Sequence, residues 1–118
     1  GGLAVAAAEM AFAGGLGMEL DLGQVPVAYE VGERDDSSQQ LCCLFSESNS
    51  RFLIEVPPEH ANSIERNFSD VPWGRLGKVN ASSQLTVFHR NVEGIQTPLL
   101  DLSLSQAKQA WLAPLDWS

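Results

Sequence analysis

Basic residues are scarce in this chain of 118 residues: seven Lys and Arg stand against fifteen Asp and Glu, a net charge of −8. That balance excludes a general nucleic-acid surface, which needs cations for the phosphates. It equally opposes docking on anionic lipid. Cysteine is limited to the adjacent pair Cys42 and Cys43. A vicinal pair rarely closes a disulfide without straining the backbone, and two thiols alone cannot form a zinc site. They read as two small buried thiols in a reducing cytosol. Long hydrophobic runs are missing as well. The longest apolar stretch, residues 3–17, is interrupted by Glu9, is too short to span a bilayer, and lacks the basic lead-in of a secretion signal. No Gly-x-Ser-x-Gly, no glycine-rich loop followed by Lys and no Cys/His pair occurs, so the usual patterns of nucleophilic catalysis are absent.

What is present, 44% apolar and 19% charged residues, is the composition of one globular domain, residues 1–118, with material for a single core. Residues 1–13 are alanine-rich and free of proline, which predicts a nearly all-buried helix stopped by Gly14-Gly15. Leu3, Ala7, Met10 and Gly14 give it a small-residue packing face. Residues 18–22 alternate apolar and acidic, the period of a half-buried strand. The polar stretch 32–40 reads as a loop entering a short helix over 39–45. Residues 51–56 predict a strand with Phe52, Ile54 and Val56 inward. Pro57-Pro58-Glu59-His60 then opens a helix to about residue 68, with Ala61, Ile64 and Phe68 on one stripe. Residues 73–79 and 84–89 read as a hairpin across the turn 80–83, followed by a short strand near 94–97. Ser103 is the expected N-cap of a last helix ending at Trp111. The fold class is α+β: helices packed on a mixed β-sheet, with a partly ferredoxin-like β-α-β-β order.

Three features could carry chemistry. Gly1 and Gly2 precede a helix, where free amides and the helix dipole favour an anion and glycine lets a phosphate approach; equally, they could serve packing alone. The turn Phe45-Ser46-Glu47-Ser48-Asn49-Ser50-Arg51 crowds three hydroxyls, a carboxylate and a guanidinium. Hydroxyls with an arginine suit a phosphate or ribose, and the carboxylate suits a hydroxyl donor or magnesium. The alternative is a self-capping turn with Arg51 paired to Glu47. His60 and His89 have no Cys or acid at ligand spacing and read as structural or surface residues. Trp73, Trp111 and Trp117 read as anchors of the core and C-terminus.

Two segments together point to a family. Residues 1–17, from Gly1-Gly2-Leu3-Ala4-Val5 to Gly15-Leu16-Gly17, resemble a helix of the C-terminal domain of the AIR-synthase superfamily. Leu44-Phe45-Ser46-Glu47-Ser48-Asn49-Ser50-Arg51-Phe52-Leu53 resembles a turn of the phosphoribosylformylglycinamidine synthase family within it, and Leu76-Gly77-Lys78-Val79 resembles that family's following strand, with Lys78 where an acid is usual. The polar stretch 32–40 is longer than the family pattern. The resemblance implies an ATP-dependent carbon–nitrogen ligase of purine biosynthesis. It converts formylglycinamide ribonucleotide and glutamine-derived ammonia to the amidine. The chain would be an N-terminally truncated C-terminal domain, inactive alone, with no cofactor of its own; ATP and Mg2+ belong to the full-length enzyme. The implied partners are a preceding nucleotide-binding domain, a glutaminase subunit, a small accessory subunit and the small-molecule substrate, in the cytoplasm and without nucleic acid or membrane. Carried onto this sequence, the substrate or phosphate site falls on Gly1, Gly2, Ser46, Glu47, Ser48 and Arg51, with Leu3 at the same helix start; no metal ligand is implied. The alternatives are a non-catalytic α+β ligand-binding module, or the C-terminal domain of another AIR-synthase superfamily enzyme.

Overall fold

The computed structural model describes residues 1–27 and 36–116. The expected anchor Trp117 lies outside them, as do residues 32–35 of the polar stretch 32–40. Residues 36–40 are helical, so the helix expected over 39–45 begins earlier, at Asp36. Helix α1 (Gly2–Gly14) leads into strand β1 (Gly17–Asp21), helix α2 (Asp36–Phe45) and helix α3 (Ala61–Asn67). Strands β2 (Gly77–Asn80), β3 (Gln84–Arg90) and β4 (Gln96–Ser103) follow, and helix α4 (Leu104–Leu112) comes last. The α+β class and the mixed sheet are as the sequence implies.

Helix α1 ends where expected. Gly15 takes a left-handed conformation at φ 68° and its N–H bonds back to Ala11, a conformation open to glycine at little steric cost. Leu3, Ala4, Ala7 and Ala11 are buried, so small side chains let α1 lie close on the sheet. Beneath it run Met18 and Leu20 of β1 and Leu85 and Val87 of β3, with Leu44 of α2 and Leu104 of α4 closing the core. The opposite sheet face carries polar neighbours: Lys78 stands across from Glu19, Glu19 from Thr86, and Thr86 from Asp101.

The sheet order is β2-β1-β3-β4, with β1 parallel to β3 and the other pairs antiparallel. This corrects the expected hairpin, because β1 lies between β2 and β3. Strand β1 is the more buried and takes a central place, whereas β2 is largely exposed and lies at the edge. The expected strand near 94–97 is the longer β4. It carries Pro98 on the outer strand, where a missing N–H is tolerated, and a bulge opposite Val87 and Phe88. Asn91 closes the β3–β4 turn, accepting from the N–H groups of Glu93 at 3.0 Å and Ile95 at 2.9 Å.

Residues 51–57 form no strand, a second correction. The segment is extended, but the expected alternation fails at its start: Leu53 packs against the core, while Phe52 is 86% exposed and Ile54 55% exposed. Of the three expected inward residues only Val56 is half-buried. Pro57 then leads through a 3₁₀ turn into α3, which Arg75 clamps through Nε to Glu65 Oε1 at 2.7 Å. Ser103 sits at the N-cap of α4, yet its hydroxyl pairs with that of Ser105 at 2.8 Å and makes no cap bond. Trp111 anchors α4 to α1 through Phe12, with ring centroids 5.9 Å apart.

Candidate functional site

Two segments nearly fifty residues apart in sequence make one cleft. The start of α1 supplies Gly2, Leu3 and Ala6; the turn after α2 supplies Ser46, Glu47, Ser48, Arg51, Phe52 and Leu53. The enclosed space is about 240 Å³, room for a phosphate-sized group with part of a sugar. The two segments meet because Gly2 has no side chain. A Cβ there would stand 2.7 Å from the Phe45 carbonyl carbon and 2.8 Å from the Leu44 oxygen, and Gly2 sits at φ +75° besides. Both conditions demand glycine. Leu44, buried in the core, holds the end of α2 against α1, and the Ser46 N–H closes the last turn of α2 on the Cys42 carbonyl at 3.0 Å.

Within the turn, Arg51 Nη1 donates to Ser46 Oγ at 3.2 Å, and the Ser46 and Ser48 hydroxyl oxygens lie 3.4 Å apart. Glu47 accepts from the Gly1 amino group instead of pairing with Arg51. That hydrogen bond, aided by the positive charge of the amino group, holds the Glu47 carboxyl below its ordinary value of 4.5. The self-capping Glu47–Arg51 pair is therefore not formed. Arg51 keeps a half-buried guanidinium whose partner is a neutral hydroxyl, and a guanidinium beside two hydroxyls and a helix start is a setting that attracts an anion.

All six residues singled out from the sequence meet here: five shape the turn and the α1 start directly, and Gly1 reaches the site through its contact with Glu47. Leu3, placed at the same helix start by the family resemblance, lines the cleft as well, while sequence reasoning missed the other apolar walls, Ala6, Phe52 and Leu53. The spacing of Leu3 and Ala6 on one helical face could have signalled Ala6, but Phe52 was assigned to the wrong side. His60 is exposed and His89 half-buried in β3, and neither lines the cleft. Cys42 and Cys43 are free thiols but not the expected buried pair: Cys43 is half-buried against the core, and its neighbour Cys42 is exposed. Among the described residues no group of three or more His, Cys, Asp or Glu could hold a metal. The cleft offers one guanidinium, two hydroxyls and one carboxylate.

Residues 1–90 match the family described as AIR synthase related protein, C-terminal domain. The chain is 35% identical over 114 residues to the phosphoribosylformylglycinamidine synthase subunit PurL of Synechocystis sp., a match that covers 94% of the chain and 13% of that protein. It is 36% identical over 115 residues to the PurL subunit of Synechococcus elongatus, again 94% of the chain and 13% of the relative. To the PurL subunit of Thermobifida fusca it is 41% identical over 92 residues, 76% of the chain and 10% of that protein. The chain thus spans about an eighth of the length of these relatives, or less. No solved structure matches it.

Proposed function

Because the chain belongs to the AIR synthase related family, as its C-terminal domain, we propose that it serves as the C-terminal domain of a phosphoribosylformylglycinamidine synthase subunit. In this reading the whole enzyme is an ATP-dependent ligase of purine biosynthesis. It joins ammonia, delivered from glutamine by a glutaminase subunit, to formylglycinamide ribonucleotide. ATP supplies the phosphoryl group that turns the formamide oxygen into a leaving group. Among the described residues no cluster of acids suited to Mg2+ is found, and in this reading nucleotide binding falls to a preceding domain. A small accessory subunit completes the assembly, which works in the cytoplasm.

The part assigned to this chain is to hold the anionic end of the substrate. Arg51 donates a charged N–H, Ser46 and Ser48 offer hydroxyls, and the α1 start at Gly2 presents backbone amides to the same cleft. The observation that carries this reading is the convergence of those groups, from segments far apart in sequence, on one cleft of about 240 Å³. In the full-length subunit, Arg51→Ala is expected to raise KM for formylglycinamide ribonucleotide about tenfold with little change in kcat. Loss of one charge-assisted contact costs about 1.5–3 kcal/mol, enough for that change. An unchanged KM in a protein that merely melts earlier would make Arg51 a brace and overturn the assignment. The 118-residue chain alone is expected to release no ADP in a coupled assay. Turnover above about 1 per second would contradict the division of labour.

A further inference from the structure

Arg51 follows a residue in a backbone conformation that L-amino acids seldom adopt. Ser50 has φ 60°, in the left-handed region, and it is not a glycine. Its side chain is exposed, and among the described residues its hydroxyl has no hydrogen-bond partner. The side chain therefore does not explain the conformation, and the backbone must be held by what lies on either side. On one side, Leu44 is buried and Gly2 presses on the Phe45 backbone, so the start of the turn cannot shift. On the other, Leu53 is packed against the core. Between these anchors the chain reverses direction, and Ser50 is where it does so. Strained conformations of this kind persist when the surroundings over-determine them, and they gather at binding sites.

The reversal has one visible consequence. It brings the half-buried Arg51 guanidinium back over the turn, to 3.2 Å from Ser46 Oγ and into the cleft with Gly2. We propose that Ser50, through its left-handed backbone and not through its hydroxyl, is the positioning residue that aims Arg51 into the cleft. The cleft's affinity for an anion is then set at residue 50, which itself touches no ligand. This rests on the reading of the cleft as an anion site. Glycine and asparagine tolerate the left-handed region, whereas a β-branched residue resists it.

The test is a titration of the chain with inorganic phosphate, followed through the backbone amide shifts of Ser46 and Ser48. Melting curves establish that each variant is folded. Ser50→Gly and Ser50→Asn are expected to bind phosphate within about twofold of the parent chain, and Ser50→Val about tenfold more weakly. Arg51→Ala is expected to remove the phosphate-dependent shifts. If Ser50→Val binds like the parent while Arg51→Ala does not, the positioning role is wrong and the anion cleft stands. If Arg51→Ala leaves binding unchanged, the anion cleft falls and the positioning role falls with it. Should Ser50→Val fail to fold, Ser50→Ala decides, since alanine also resists the left-handed region. Binding weakened several-fold in Ser50→Ala but retained in Ser50→Gly supports control by the backbone. Parent-like binding in Ser50→Ala, or loss in Ser50→Gly, overturns it.

Discussion

The Asp21 carboxylate is 7% exposed, and its Oδ1 accepts from the Gly23 N–H at 2.9 Å and the Arg90 N–H at 3.1 Å. One oxygen thus ties the end of β1 to the end of β3 and starts the 3₁₀ turn that follows β1. Asp21→Ala leaves both donors without their acceptor, and a stability loss of about 1–3 kcal/mol is expected from urea unfolding. Asp21→Asn keeps one oxygen and should lose less. Glu47 makes a different prediction. Its carboxyl titrates below 4.5 because the Gly1 amino group donates to it and is positively charged. A carboxyl depressed in the folded state contributes stability above its unfolded value, and the contribution is lost as pH falls through the lower folded value. Extending the chain upstream of Gly1 replaces the ammonium with a peptide N–H. The Glu47 titration followed by NMR should then return toward its ordinary value. The chemistry of this site was legible because Ser46, Glu47, Ser48 and Arg51 crowd one short turn. The left-handed backbones at Gly2 and Ser50 were not legible, since they come from the closure of that turn between two packed anchors.

At the scale of elements, helices were easier to read than strand pairing. The α1 helix and its Gly15 stop follow from local propensity and from a residue that can take positive φ. Pairing is decided elsewhere. Strands β2 and β3 are neighbours in sequence across a short turn, but β1 competes for the place beside β3 and wins it by matching Met18 to Leu85 and Leu20 to Val87 in the core. The segment 51–57 shows the same limit. Its alternation was visible, but which side chains face inward at its start depends on Leu53 meeting the core, which leaves Phe52 and Ile54 exposed. The β1–β2 register does support a prediction. Lys78 stands directly across from Glu19. Opposite charges so placed contribute about 0.2–1 kcal/mol, and like charges oppose pairing by a similar amount. Lys78→Glu should therefore lower the unfolding midpoint slightly, and the loss should shrink at high salt, where exposed charges are screened.

The whole molecule is loosely drawn together. Its radius of gyration is 15.3 Å, against about 13.5 Å for a compact domain of this length. The apolar α1 helix, expected from the sequence to be nearly all buried, packs on the chain's own sheet and against α2 and α4. The exposed apolar surface lies elsewhere. Phe52 at 86%, Ile54 at 55% and Leu115 at 64% are left in water, along with Trp111 at half exposure. Phe52 and Ile54 are spaced to project from the same side of an extended segment that pairs with no strand among the described residues. Extended apolar segments with free backbone groups invite association. We therefore expect the isolated chain to self-associate, with a weight-average mass in sedimentation equilibrium that climbs with concentration. Phe52→Ser combined with Ile54→Thr should return it toward the monomer. Neither side chain belongs to the buried core, so the double variant should melt close to the parent chain. A parent chain that stays monomeric at high concentration would show that this surface is inert. Association undiminished in the double variant would move the contact to another face, with Trp111 and Leu115 the next to be replaced.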